Sequence, residues 1–203
     1  MNYFYEINQK GFRKPSSFYL NSDKMKAEEI DLLALRLKEI ILNSKCENKD
    51  IIFLCIGSDR YVGDSLGPLV GSMLEESQVP YRVYGTLDEP VHAFNLKGIL
   101  KDIHKQFKKP LVFCIDACLG TIDQVGYIVF EEGPLTPGKA LEKILPEVGD
   151  FHFKGMVNYI DPLPKSQFLN DTRLSTVMKL AKLIAMVITR IEVVECSSVD
   201  DSI

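Results

Sequence analysis

IIFLCIGSDRYVGDSLGPLVGSMLEE, residues 51–76, joins a continuously apolar run, a polar glycine-bearing loop and an amphipathic run. Ile51 to Ile56 carries no polar side chain, which suits a strand buried on both faces. Beyond the loop, Leu66, Leu69, Val70, Met73 and Leu74 follow the i, i+3, i+4, i+7, i+8 spacing of a helix with one apolar face. A second short apolar run, Leu111 to Ile115, follows Pro110 and reads as another buried strand. Each run leads to an aspartate, Asp64 and Asp116. If the two strands are parallel neighbours, both carboxylates reach one crest of the sheet, the place where open α/β sheets hold ligands. Two acids meeting there serve acid/base chemistry on a carbonyl or a metal site.

The flanking sequence extends this unit. Ser22 or Asp23 caps a helix reaching Asn43, with Ile30, Leu33, Leu37, Ile40 and Ile41 on one face. Tyr81 to Tyr84 forms a brief strand, and Leu96, Leu100, Ile103 and Phe107 line a further helix. VGYIVFEEG (125–133) and Phe151 to Tyr159 read as strands. A last helix is capped by Asn170 or Asp171 and buries Leu174, Val177, Met178, Ala181, Ile184, Ala185 and Ile188. Strands alternating with helices predict an α/β fold, a three-layer α/β/α sandwich with a mainly parallel sheet. The whole chain, 1–203, is expected to be one domain, with residues 1–22 as a surface arm and 197–203 as a disordered tail.

The chain is 46% hydrophobic, enough for one substantial core. Its net charge of −4, from 24 basic and 28 acidic residues, includes no basic block, so neither nucleic acid nor an acidic membrane surface is an expected partner. MNYFYEINQKGF lacks a basic start followed by an apolar stretch, and Lys179, Lys182, Arg190 and Glu192 interrupt the longest apolar tract, 174–194. A cytoplasmic protein is expected. The five cysteines show no CxxC spacing and read as reduced thiols.

Asp64 has a bland alternative as a helix cap. Pro68 opposes it, because proline favours the first helical position and would make Gly67 the cap. For Asp116 the alternative is closure of the turn CIDACLG by accepting backbone N–H bonds. The glycines of 57–67 do not match a phosphate loop, and neither Ser65 nor Cys118 lies in a nucleophile motif. Asp88 and Glu89 follow the short strand and are candidates for substrate binding at the same crest, against a solvated turn with Pro90 opening a helix. His104 lies among charged residues and reads as exposed, whereas His92 and His152 stay open. His152 is the candidate to complete an Asp64, Asp116, His152 metal set.

IGSDRYVGDSLGPLVG, YGTLDEPVHAFNL, FCIDACLG, GPLTPG and VGDFHFKGMVN together resemble the YyaC family of sporulation proteins from endospore-forming bacteria, over about residues 51–188. That family is similar to the spore germination protease through DxLGP (Asp64, Leu66, Gly67, Pro68) and IDA (Ile115, Asp116, Ala117). The resemblance implies that Asp64 and Asp116 are catalytic. A more distant likeness is to the maturation endopeptidases of nickel-iron hydrogenases, whose acidic metal-recognising positions fall on Asp64 and Asp116; Gly57-Ser58 and Gly63 stand where those peptidases have GN and a second acidic residue. Resemblance to these proteins further implies a peptidase-like fold and a sporulation-associated endopeptidase of the forespore or spore core, acting on a peptide or on spore-core proteins. Its cofactor would be none or a divalent metal ion, zinc or nickel. The alternative is a non-catalytic peptide- or metal-binding protein on the same fold.

Overall fold

The structure is a computed structural model and describes residues 17–137, 145–160 and 171–191. Its strands are β1 (Ser17–Asn21), β2 (Ile51–Cys55), β3 (Arg82–Tyr84), β4 (Leu111–Gly120), β5 (Tyr127–Glu132) and β6 (Phe151–Tyr159). Its helices are α1 (Ala27–Cys46), α2 (Leu66–Glu76), α3 (Leu96–Gln106) and α4 (Leu174–Thr189). The six strands form one sheet in the order β1-β5-β6-β4-β2-β3. Strands β6, β4, β2 and β3 run parallel, β5 pairs antiparallel with β6, and β1 pairs antiparallel with β5. The sheet is therefore mixed, because the VGYIVFEEG strand pairs back against β6 instead of crossing over.

Helices flank both faces. On one, α1, α2 and α4 bury Leu33, Leu37, Val70, Leu74, Leu180 and Ile184 against β2, β4 and β6. On the other, Leu96 and Ile103 of α3, with Leu135 and Val148, cover Ile52, Leu54 and Val112. Both faces of β2 are thus occupied, which is why its sequence is apolar without alternation. Paired phenylalanines cross the sheet beneath the three-helix layer. Phe53 stacks on Phe113 at 5.1 Å, Phe113 on Phe151 at 5.5 Å, and Phe130 joins Phe151 at 5.9 Å and Phe18 at 6.3 Å. Among the described residues no helix is long and apolar enough to cross a membrane.

Several boundaries differ from expectation. Residues 17–21 of the expected arm form edge strand β1, since Phe18 and Leu20 alternate inward to join the core while Tyr19 points out; residues 1–16 and 197–203 lie outside the described residues. Helix α1 starts at Ala27, not Ser22 or Asp23, because the Asn21 side chain accepts the N–H groups of Asp23 and Lys24 and turns the chain there. Helix α2 starts at Leu66 with Ser65 as its cap, placing Pro68 third, still within the first turn where no intrahelical partner is required of an N–H. For α4, Arg173 is the cap position, and Asn170 lies outside the described residues.

Helix α2 approaches the sheet closely. A Cβ on Gly67 would lie 2.1 Å from the Ile56 carbonyl oxygen, and one on Gly85, at φ +91, would lie 1.9 Å from that of Cys55. Neither contact involves a side chain that could swing away. Gly98, exposed on α3, has nothing within 4 Å of its hypothetical Cβ. Gly98→Ala is therefore expected to stabilise by about 0.4–1 kcal/mol, raising Tm by roughly 1–4 °C for a chain of this size. Gly67→Ala is expected to lower Tm by more than that. Thermal melts of both variants check this, and a Gly67→Ala protein melting at or above the wild type would contradict the close packing.

Candidate active site

From β2 the chain passes through α2 to β3 on one side; from β3 it passes through α3 to β4 on the other side of β2. The connections thus diverge between the carboxyl ends of β2 and β4, the switch point at which such sheets open a crevice. Asp64 and Asp116 flank it. Asp64 closes a single 3-10 turn, Val62–Asp64, immediately before α2. Its N–H donates to the Tyr61 carbonyl at 2.9 Å, and its carbonyl accepts the Ser58 N–H at 3.0 Å. Gly57, at φ +147, makes this fold of the loop sterically accessible, since a Cβ there would lie 2.0 Å from the Asp64 carbonyl oxygen.

Asp116 lies inside β4 and not in a turn after it, because β4 continues to Gly120 alongside β6. It is buried, and its Oδ1 accepts the Ala117 N–H at 2.9 Å. The strand register sets Lys154 of β6 opposite Asp116, yet the Lys154 ammonium goes to Glu131 at 3.2 Å. The charged group that acts on Asp116 is Asp64. Burial first, and the Asp64 charge second, hold the Asp116 carboxyl well above the usual carboxylate range. Burial also raises Asp64, from 3.8 to about 6, with the Ser58 N–H opposing the rise.

The other candidates are distributed differently. Glu89 and Asp88 are exposed on the loop after β3, where Thr86 and Glu89 exchange hydrogen bonds of 3.0 and 3.2 Å in a tight turn. Glu89 lines a cleft of ≈390 Å³; Asp88 does not. His152 is not brought to the pair. It lies on β6 level with Cys114, two residues before the level of Asp116, with Nδ1 2.8 Å from the Gly133 carbonyl and Nε2 3.3 Å from Glu131 Oε2. Among the described residues no three His, Cys, Asp or Glu side chains are grouped to hold a metal ion, so the expected Asp64, Asp116, His152 set is not assembled.

The histidine that does reach the crest is His92. After the 85–90 loop the chain resumes the line of β3, Val91 pairing with Ile56 and accepting the Gly57 N–H at 2.8 Å. His92 comes next, locked by Asn95, whose Oδ1 accepts the His92 N–H at 2.8 Å. The sequence signal was the lone apolar Val91 after TLDEP, too short to read as strand.

An α/β chain with an acid pair, one member buried, at a topological switch point is the class these features define. The chain belongs to the family described as "Protein of unknown function (DUF1256)", which matches residues 19–187. It is 45% identical over 185 residues to "Uncharacterized protein YyaC" of Bacillus subtilis (strain 168), covering 88% of this chain and 87% of that protein.

Because folding raises both carboxyl pKa values, the folded chain binds more protons than the unfolded chain above about pH 4. Stability carried by this pair is therefore complete below the ordinary aspartate range and declines as pH rises through about 6 and beyond. Asp116→Asn keeps an oxygen for the Ala117 N–H and removes the ionisable group. It is expected to melt above wild type at pH 8, by a few degrees, and to converge with it near pH 4. Melts across that range check the sign; a gap that widens toward acid pH would refute it.

Proposed function

We propose that this chain is an aspartate-dependent endopeptidase with the fold of the germination-protease group. The observation that carries the proposal is the meeting of Asp64 and Asp116 at one crest, each raised in pKa by burial and Asp116 further raised by its neighbour. The resemblance through DxLGP and IDA supports it, since those elements carry both aspartates.

The two environments divide the roles. Asp64, partly exposed and titrating near 6, is ionised at neutral pH and takes a proton from an attacking water. The hydroxyl oxygen bonds to the peptide carbonyl carbon, and the tetrahedral intermediate collapses as the C–N bond breaks. Asp116, buried and holding its proton, gives it to the departing amine nitrogen. The proton taken by Asp64 then restores Asp116. No group is consumed except water. The substrate is a peptide or protein, with spore-core proteins the proposed source, and the setting is the cytoplasm of the forespore or spore core.

The test is incubation of the purified chain with unfolded spore-core proteins, reading new termini by mass spectrometry. Wild type is expected to cut, with an acid limb near pH 6. Asp64→Asn and Asp116→Asn should each lose at least about 10²-fold in rate, the scale of a lost general acid or base, while remaining folded by thermal melt. Cutting by both variants at the wild-type rate would remove the pair from catalysis, and a folded wild type that cuts nothing would leave the crest a binding site.

A further inference from the structure

β3 is the free edge of the sheet: it pairs with β2 on one side, and among the described residues no strand pairs with the other. The ≈390 Å³ cleft follows that edge, between the last turn of α2 and the first turn of α3. Its apolar lining outside the core is Val83, Pro90 and Ile99, with Tyr84 beside them. Its charged groups are Glu75 and Glu89, both exposed and both without a cationic partner among the described residues. No lysine or arginine lines it. The partial positive charge at the start of α3, about half a unit, is offset by the equal and opposite end of α2. Two full negative charges remain over an apolar wall.

We propose that this cleft is a subsite for a lysine or arginine side chain of an extended polypeptide substrate lying along the outer edge of β3. The inference rests on the endopeptidase reading and names what selects its substrate. A long basic side chain matches both halves of the lining, its methylene stem on Val83, Pro90 and Ile99 and its head toward the carboxylates. The free edge offers backbone groups to the same chain, as in strand addition. The backbone links the cleft to the acid pair. Val91 lines it and bonds Gly57, and Gly57 packs on the Asp64 backbone. From β3 to β4, which carries Asp116, is on the order of 10 Å, two strand spacings. Extended chain covers that in about three residues, so the basic residue should sit about three positions from the bond that is cut.

Two measurements test this. In the Asp116→Asn background, binding of a fluorescein-labelled decapeptide of alternating lysine and valine is followed by fluorescence anisotropy, beside one of alternating glutamate and valine. The lysine peptide is expected to bind at least tenfold tighter, to weaken three- to tenfold when Glu75→Gln and Glu89→Gln are added, and to weaken in high salt. In the second measurement, wild-type cleavage sites in unfolded proteins are mapped, with lysine or arginine expected to be enriched about three residues from the cut and the enrichment lost in the double variant. Equal affinity for the two peptides, or unchanged binding in the double variant, overturns the subsite. If the lysine peptide binds through the two glutamates but nothing is cut, the peptidase reading fails and the subsite stands. If cuts show no basic preference, the subsite fails and the peptidase reading stands.

Discussion

The approach of α2 to the ends of β2 and β3 governs the rest of the molecule. It is made by glycine on both sides of the contact: Gly67 against Ile56, Gly71 against Gly85, and Gly85 against Cys55, each with room for no more than a hydrogen where a side chain would start. Leu66 at the head of the helix fills the space over Gly155 of β6, where a Cβ would lie 2.3 Å from its Cδ2. The helix is thereby seated on three strands at once, and the loop before it has a fixed exit. Asp64 is placed by that exit.

The electrostatic character of the crest depends on where cations are not placed. Lys154 is the basic residue that the sheet register brings beside Asp116, and Glu131 draws it to the next strand. Burial is unfavourable for a carboxylate, and the absence of a paired cation leaves protonation as the way to relieve it. Such an arrangement costs stability at neutral pH, and natural proteins accept that cost mainly where a site needs it. The same reasoning distinguishes the two aspartates, since the one on the loop keeps contact with solvent and the one in the strand does not.

Much of the fold was legible because its elements have uninterrupted signals. IIFLCI and LVFCI could be read as buried strands, and the apolar stripes of α1, α2, α3 and α4 marked the faces that are in fact buried, except that Leu174 at the head of α4 is exposed. What failed was local and has local causes. β1 offers only Phe18 and Leu20 in alternation between polar residues, too little to distinguish from an arm. Asp116 looked like a strand end because a carboxylate in a buried strand is unfavourable unless tertiary structure supplies a reason, here the switch point. The choice between His92 and His152 depended on strand order, which neither segment encodes alone.

The sequence by itself determined the alternation of strands and helices, the identity of the two aspartates and their place beyond two apolar runs, because each depends on residues within one or two turns of chain. The tertiary structure alone decided that β2 and β4 are neighbours, that Asp64 acts on Asp116, that Lys154 turns away and that Glu89 rather than Asp88 faces the cleft. Those outcomes depend on distances of a few ångströms between residues tens of positions apart. Charge interaction and desolvation are set by such distances, and spacing along the chain carries no record of them.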